Sequence, residues 1–206
     1  VITSKDVYFA FPLQKNQLSS PNLKMNTKLI KDISIDKPIK IKDVKFNKDL
    51  AEEYLVRSYI HEVKAILNYN NIKIKNNFDL EISHHNGIKN FKKTGCFLFN
   101  IINKNYAKKL LVMLPNQSHP LHFHKQKDES FHIISGKLVS YLNNKKKILK
   151  PGDILHIKKN SWHKFEALKE GCIFDEISTT SYKNDSFYKN RTIKKLSRDD
   201  RKTYIN

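Results

Sequence analysis

The chain has 206 residues, of which 39% are hydrophobic and 11% aromatic, and this suits a folded domain with appendages rather than a disordered protein. A formal net charge of +19 invites a nucleic-acid interpretation, but the lysines are spread over the whole length and arginine, the better reader of bases, is scarce. We therefore expect no nucleic-acid partner and only a mild attraction for anionic small molecules. No apolar run approaches the ~18 residues of a membrane span, so we also expect no membrane partner.

The opening segment, residues 1–47, carries short apolar pieces interrupted by Pro12, Pro21 and Pro38. It lacks the charged and long apolar regions of a secretory signal. We expect extended segments and linker here, without a separate core, in a cytoplasmic protein.

The one convincing helix covers residues 49–69. Four apolar residues follow one another at spacings of four, three and four, and such spacing forms a single stripe on a helix: Val56, Ile60, Val63 and Leu67. We assign 48–77 to this helix and the linker that follows it.

From about residue 78 the apolar residues alternate with polar ones, which is typical of short strands separated by turns. Gly136 is expected to close a hairpin after the strand ESFHII, and Glu170-Gly171 is expected to form another turn. The pattern predicts an antiparallel sandwich or barrel over 78–185, followed by a polar tail over 186–206 that wraps the surface.

The two cysteines, Cys96 and Cys172, lie in apolar runs that are typical of strands. Two cysteines in so long a chain do not make a disulfide scaffold. We expect two reduced, buried thiols, as in a cytosolic protein.

A candidate metal site begins in the stretch HPLHFHKQKDE, residues 119–129. His122 and His124 are two positions apart on a predicted strand, so both side chains point to the same face. Glu129 follows after a short connection, and His163 begins a later strand. Three imidazoles and one carboxylate can enclose one divalent ion, and these ligand types do not distinguish Zn, Mn, Fe, Ni or Co.

The same residues resemble the two motifs of the cupin superfamily, G(X)5HXH(X)3,4E(X)6G and G(X)5PXG(X)2H(X)3N. The first motif has Asn116 at its leading glycine and is otherwise matched at every spacing, by His122, His124, Glu129 and Gly136. The second is matched at Gly152 and His163, and departs from the pattern at Lys158, Asn160 and Ala167.

This resemblance implies a mainly β fold, a cupin double-stranded β-helix or jelly-roll barrel, with one N-terminal helix and an extended N-terminal segment. It implies that the metal ligands are His122, His124, Glu129 and His163. The remaining histidines of this region are expected to be structural or solvent-facing, with His119 as a candidate for the outer shell at the mouth: His84, His85, His119, His132 and His156. Since cupins commonly pair through sheet edges, we expect a homodimer.

A narrower resemblance covers nearly the whole chain. The stretches EISHHNGIKNF, KKLLVMLPNQSHPLHFHKQKDESF, GCIFDEISTTSYKNDSFY and RKT are similar to the cupin portion fused behind N-acetylneuraminate and legionaminate synthase-like enzymes. The opening VITSKDVYFAFPLQKNQLSS resembles the SAF-like connector of such fusions. The resemblance implies fusion to an upstream synthase barrel, which would also explain the missing initiator Met. That barrel needs about 250 residues, so the synthase activity itself is not expected in this chain.

Three functions are open for such a site. The first is a metal-dependent sugar isomerase or epimerase associated with nonulosonic (sialic-acid-like) sugar biosynthesis. The second is a non-catalytic module that binds a sugar or sugar acid, or that dimerises or regulates a synthase. The third is a metal-dependent dioxygenase.

Residues beyond the metal ligands would carry the chemistry. An isomerase needs a proton-transfer group, and the candidates are Lys127 and Glu176. Lys127 can also point outward, and Glu176 can form a structural ion pair with a lysine. Aromatic faces stack on sugar rings, so four residues are candidates for binding the ligand, with barrel packing as the alternative for each: Phe131, Trp162, Phe165 and, through its hydroxyl, Tyr141.

Overall fold

A computed structural model describes residues 28–29, 44–45, 48–74 and 78–205, and the chain divides into two compact units, 1–58 and 59–206. In the first unit, strands β1 (Lys28–Leu29) and β2 (Val44–Lys45) form a short antiparallel ladder. Most of the predicted SAF-like connector, 1–47, lies outside the described residues.

Helix α1 runs from Lys48 to Tyr69 and confirms the predicted helix to within one residue at its start. Within the second unit its buried residues recur every fourth position, at Tyr59, Val63 and Leu67, while Ile60 of the predicted stripe is only half-buried. Tyr59 packs against Phe91 with ring centroids 5.0 Å apart. Neither helix of the described chain has the length and apolar character to cross a membrane.

Ten strands follow in the second unit, and every ladder between them is antiparallel. Their bounds are β3 (Asp79–Ser83), β4 (Cys96–Asn103), β5 (Tyr106–Met113), β6 (Ser118–His124), β7 (Glu129–Leu142), β8 (Lys145–Leu149), β9 (Ile154–Ile157), β10 (His163–Thr179), β11 (Ser186–Tyr188) and β12 (Lys202–Ile205). The predicted fold class is confirmed: the chain is mainly antiparallel β with one N-terminal helix, consistent with a jelly roll.

Two long strands, β7 and β10, organise this unit because each exchanges its neighbours along its length. The second half of β10, 172–179, pairs with β5 and with the first half of β7. Its first half pairs with β6 and with the second half of β7. Strands β9 and β8 flank the two halves of β7 in turn. The start of β10 is thereby brought beside β6, while the start of β7 lies against the end of β10.

The prediction that Gly136 closes a hairpin was wrong, as was the turn predicted at Glu170-Gly171. Both glycines lie inside continuous strands, with φ of 75° at Gly136 and 74° at Gly171, where the β7–β10 register shifts. A Cβ built on Gly136 would lie 2.1 Å from the carbonyl oxygen of Gly171. A glycine in a strand run can mark a bulge as well as a turn, because one class of bulge and several turn types both place a residue at positive φ.

The core of this unit contains both cysteines. Cys96 and Cys172 are free and buried among apolar side chains that include Met113, Leu138 and Phe174. Burial raises the pKa of each thiol to about 12, so both remain protonated and unreactive at neutral pH. The expectation of reduced, buried thiols is confirmed.

The described part of the tail adds edge strands to the sheet. Strand β11 pairs with β6, and β12 pairs with β3. Between them lies the short helix α2 (Arg191–Lys195), where the Asn190 side chain accepts hydrogen bonds from the backbone N–H groups of Thr192 and Ile193 at 2.9 and 3.1 Å. The predicted domain boundaries at 47, 77 and 185 stay predictions.

Replacing Gly136 tests the close approach of the two long strands. In Gly136→Ala we expect a loss of about 3 kcal/mol or more in the free energy of unfolding, since the methyl group meets backbone that has little room to move. Gly152→Ala is the matched control, because Gly152 also has positive φ but nothing lies within 4 Å of its Cβ position. Urea unfolding of the two variants in chelator measures the difference, and equal losses would contradict this account.

Candidate metal centre

Four side chains from three strands converge inside the second unit. Strand β6 contributes His122 and His124, β7 contributes Glu129 at its start, and β10 contributes His163 at its start. His163 stands opposite His122 in the β6–β10 register. All four residues are buried, and their candidate ligand atoms lie within 4.8 Å of one another.

The backbone sets the tautomer of each imidazole. In all three imidazoles Nδ1 lies against a backbone carbonyl oxygen. The distances are 2.9 Å from His122 to Pro120, 2.7 Å from His124 to Asp185 and 2.9 Å from His163 to Ser161. A carbonyl oxygen only accepts, so each Nδ1 carries the proton and donates. Each neutral ring is left with a lone pair on Nε2, the form that binds a metal ion.

One polar atom that faces the cluster centre, Nε2 of His163, has no hydrogen-bond partner among the described residues. It is buried and lies 2.9 Å from Glu129 Oε1. A lone pair that faces a carboxylate oxygen is unfavourable unless a cation lies between them.

The ionisation states agree with metal binding. Burial holds the pKa of His122 well below its usual range and that of His124 at about 4, so both rings are neutral at neutral pH. Burial alone would raise the pKa of Glu129, but Lys127 holds it well below its usual value. The Nε2 lone pairs of the imidazoles and the carboxylate of Glu129 form a buried cluster that can hold one divalent ion.

Behind Glu129 runs a line of alternating charges. Lys127 is buried rather than pointing outward, with Nζ 2.5 Å from Glu129 Oε2 and 2.7 Å from Glu176 Oε1. Nζ of Lys109 lies 3.2 Å from the same Glu176 oxygen. Burial opposes charge on both partners, but the neighbouring lysines lower the pKa of Glu176 to about 2, and the two carboxylates raise that of Lys127. Lys127 and Glu176 are therefore an ion pair.

Asp185 braces this region and escaped the sequence analysis. Its carboxylate accepts hydrogen bonds of 2.9–3.1 Å from the backbone N–H groups of Lys125, Gln126 and Lys127, the turn that joins β6 to β7. Its backbone oxygen is the partner of His124 Nδ1. Because Asp185 is 61 residues from His124 along the chain, no local pattern connects them.

Two further histidines lie beside the cluster. His119 stacks on Phe165 with ring centroids 4.5 Å apart and contacts His122 at 4.6 Å. Its Nε2 lies 3.1 Å from Nε2 of His85, and burial holds the pKa of both rings well below the usual range. His119 thus stands next to a candidate ligand, in the position expected of an outer-shell residue, and His85 is buried behind it.

The four candidate ligand-binding aromatics separate into two pairs. Phe131 and Phe165 are buried in the core and also line the cavity at the metal cluster. Tyr141 lies on the other face of β7, where Lys164 Nζ sits 4.4 Å from its ring centroid, because the neighbouring Ser140 takes the inward position. Trp162 is 37% exposed and packs on Phe123. The structure does not bring Tyr141 or Trp162 to the cavity.

The cavity at the cluster has a volume of about 60 Å³, enough for an ion and a few water molecules. It is lined by His122, His124 and Glu129 of the cluster, by Lys109, Lys127 and Glu176, and by residues of the tail. A ligand as large as a sugar ring needs the wall to open.

Comparison with known proteins supports the cupin superfamily. Residues 109–173, less than half of the chain, match the family model described as Cupin domain. No curated protein sequence matches the chain. The match and the described fold agree on a cupin jelly roll.

Solved structures show only distant similarity to this chain. KdgF from Halomonas sp. is 15% identical, with 42% of this chain and 80% of that one covered and a TM-score of 0.41. An uncharacterized protein with a double-stranded β-helix domain from Klebsiella pneumoniae is 19% identical, with 46% of this chain and 85% of that one covered and a TM-score of 0.41. A sugar phosphate isomerase from a cupin superfamily, from Silicibacter pomeroyi, is 16% identical, with 46% of this chain and 66% of that one covered and a TM-score of 0.41. Such values carry no argument about function.

Removing the Asp185 carboxylate should loosen the turn before Glu129. In Asp185→Ala we expect the free energy of unfolding to fall by about 2–3 kcal/mol, since three N–H groups of the turn, of which that of Lys127 is buried, lose a charged acceptor. Asp175→Ala is the control, because Asp175 pairs with the partly exposed Lys108 and should cost less than about 1 kcal/mol. Urea unfolding measures both, and a loss no larger than the control's would rule out the bracing role.

Proposed function

We propose that this chain is a metal-binding cupin module that takes a sugar or sugar acid at a site formed by His122, His124, Glu129 and His163. The observation that carries the proposal is the tautomer of the three imidazoles, whose Nε2 lone pairs are fixed by hydrogen bonds to backbone carbonyls. A bound divalent ion would polarise a carbonyl or hydroxyl oxygen of the ligand. The ion is one of Zn, Mn, Fe, Ni or Co on ligand chemistry.

The catalytic form of the proposal is a sugar isomerase or epimerase. It is supported by Glu176 and Lys127, which line the same cavity as the cluster and form a buried ion pair at 2.7 Å. With a pKa of about 2, Glu176 is ionised at neutral pH and carries no proton of its own, although so low a pKa makes it a weak base. In this form Glu176 accepts the proton next to the sugar carbonyl, and Lys127 holds Glu129 and Glu176 in place.

A specific observation favours the second candidate, a non-catalytic sugar-binding module. Lys127 contacts two carboxylates at once, and Glu176 contacts two lysines, so both proton-transfer candidates are engaged in ion pairs. Groups tied in this way are poor acids and bases near neutral pH. This arrangement serves a binding site in which the charges only fix Glu129.

The link to sialic-acid-like sugar biosynthesis rests on the resemblance of the sequence stretches to synthase fusions. We infer that the module acts in one polypeptide with an upstream synthase barrel, as a homodimer in the cytoplasm. An in-frame synthase barrel in the DNA upstream of Val1 would support the fusion, and a stop codon shortly upstream would end it.

Metal analysis tests the site itself. The purified chain should hold about one divalent ion, and His122→Ala and His163→Ala should lower metal affinity by more than about 100-fold, because each removes a direct ligand. His132→Ala is the control, since His132 lies on β7 but faces away from the cluster, on the half-buried side. Mass spectrometry and metal titration measure the outcome. Equal metal content in all four proteins would refute the site.

Hydrogen exchange separates the two forms of the proposal. The metal-loaded protein is incubated with aldoses, ketoses and N-acylated hexosamines in deuterated water and followed by NMR. An isomerase should place deuterium on the carbon next to the carbonyl. The rate of this exchange should fall by at least about 100-fold in Glu176→Gln. It should be unchanged in the control Glu166→Gln, whose surface carboxylate pairs with Lys164. Shifts on binding without deuterium would support the non-catalytic module.

A further inference from the structure

The tail gives the cavity a basic wall. Three cations lie close together there, in the turn Asp199–Arg201 and on its two sides: Arg198, Arg201 and Lys202. Strand β12 carries Lys202 beside β3, and β3 supplies the carboxylate that pairs with Lys202, that of Glu81. The same carboxylate pairs with Arg198, so it balances two of the three cations.

Two of the cations already have partners. Arg198 Nη2 lies 3.2 and 3.3 Å from the two oxygens of Glu81, and Nζ of Lys202 forms an ion pair with the same carboxylate. Burial and the nearby Arg198 nevertheless lower the pKa of Lys202 to about 8, although Glu81 opposes this. The positive charge of this wall exceeds what Glu81 balances.

Arg201 differs from its two neighbours. Its Nε donates to the Ser197 carbonyl at 3.0 Å, while no carboxylate among residues 78–205 pairs with its guanidinium. Its Cζ lies 4.8 Å from the ring centroid of Tyr188. Tyr188 in turn stacks on His122 with centroids 5.5 Å apart and planes at 21°. The guanidinium is thus held at the cavity by stacking on Tyr188, which separates it from His122 of the metal cluster.

We propose that Arg201 binds the anionic group of the small molecule whose oxygens face the cluster. A planar guanidinium with unused N–H donors suits a carboxylate or a phosphate group, which it can hold with two parallel hydrogen bonds. The inference rests on the proposed function for the position of the ligand, and it makes that ligand an acidic sugar rather than a neutral one.

Titration with matched sugars tests the role of Arg201. Glucuronate, glucose 6-phosphate and glucose are titrated into the purified chain and into its Arg201→Gln, Arg201→Lys and Arg191→Gln variants, and binding is followed by NMR. We expect at least one of the two acids to bind more tightly than glucose. Arg201→Gln should weaken that acid by about 10- to 100-fold and leave glucose unchanged, because only the charged hydrogen bonds are lost. The affinity of Arg201→Lys for that acid should lie between those of the wild-type chain and Arg201→Gln. Whichever of glucuronate and glucose 6-phosphate binds more tightly shows whether the site prefers a carboxylate or a phosphate.

The control is Arg191→Gln, which removes the same charge from an exposed position of α2 and should change nothing. Acid affinities that are equal in the wild-type chain and Arg201→Gln, or no preference for acids over glucose, would overturn the inference. Metal content is measured on the same samples. A chain that binds acids through Arg201 but holds no metal would refute the metal site alone, so the two failures are distinguishable.

Discussion

Three imidazoles and a carboxylate buried against one another are the constraint on which the rest of this structure depends. Buried polar atoms need partners, and here the backbone satisfies each Nδ1 while Nε2 and the carboxylate oxygens are left facing one another. The surrounding charges follow from that demand. Lys127 stands against Glu129, and Glu176 and Lys109 continue the alternation away from the cluster.

The two long strands make this convergence possible. β7 and β10 each bend at a glycine with positive φ, so the half of β7 that begins at Glu129 pairs with the second half of β10, and the half of β10 that begins at His163 pairs with the second half of β7. The close approach of Gly136 to Gly171 leaves no space for a Cβ. The aromatic core packs beside the cluster, where the ring centroids of Phe131 and Phe165 are 5.2 Å apart. This packing holds Glu129 and His163 in position.

Charge connects the cavity to the proposed ligand. The chain is strongly basic as a whole, and most of the lysines whose side chains the structure describes are exposed, where solvent and salt screen them. Arg198, Arg201 and Lys202 differ because they line a cavity, where the lower dielectric constant makes an unbalanced cation more effective on an anion. The composition therefore indicated a preference for anions, but only the position of the tail gives it a site.

The sequence by itself determined the helix, the alternating strands and the side of β6 and β7 that carries His122, His124 and Glu129. These features repeat over two to four residues, so local chain geometry is enough to predict them.

The tertiary structure alone decided that Lys127 turns inward to Glu176, 49 residues away, and that Asp185 braces the turn before Glu129. It also decided that Tyr141 and Trp162 stay away from the cavity. It also decided that Gly136 bends a strand instead of ending it. Those outcomes depend on partners distant in the chain, whose approach is set by sheet pairing and packing, and no spacing along the sequence records it.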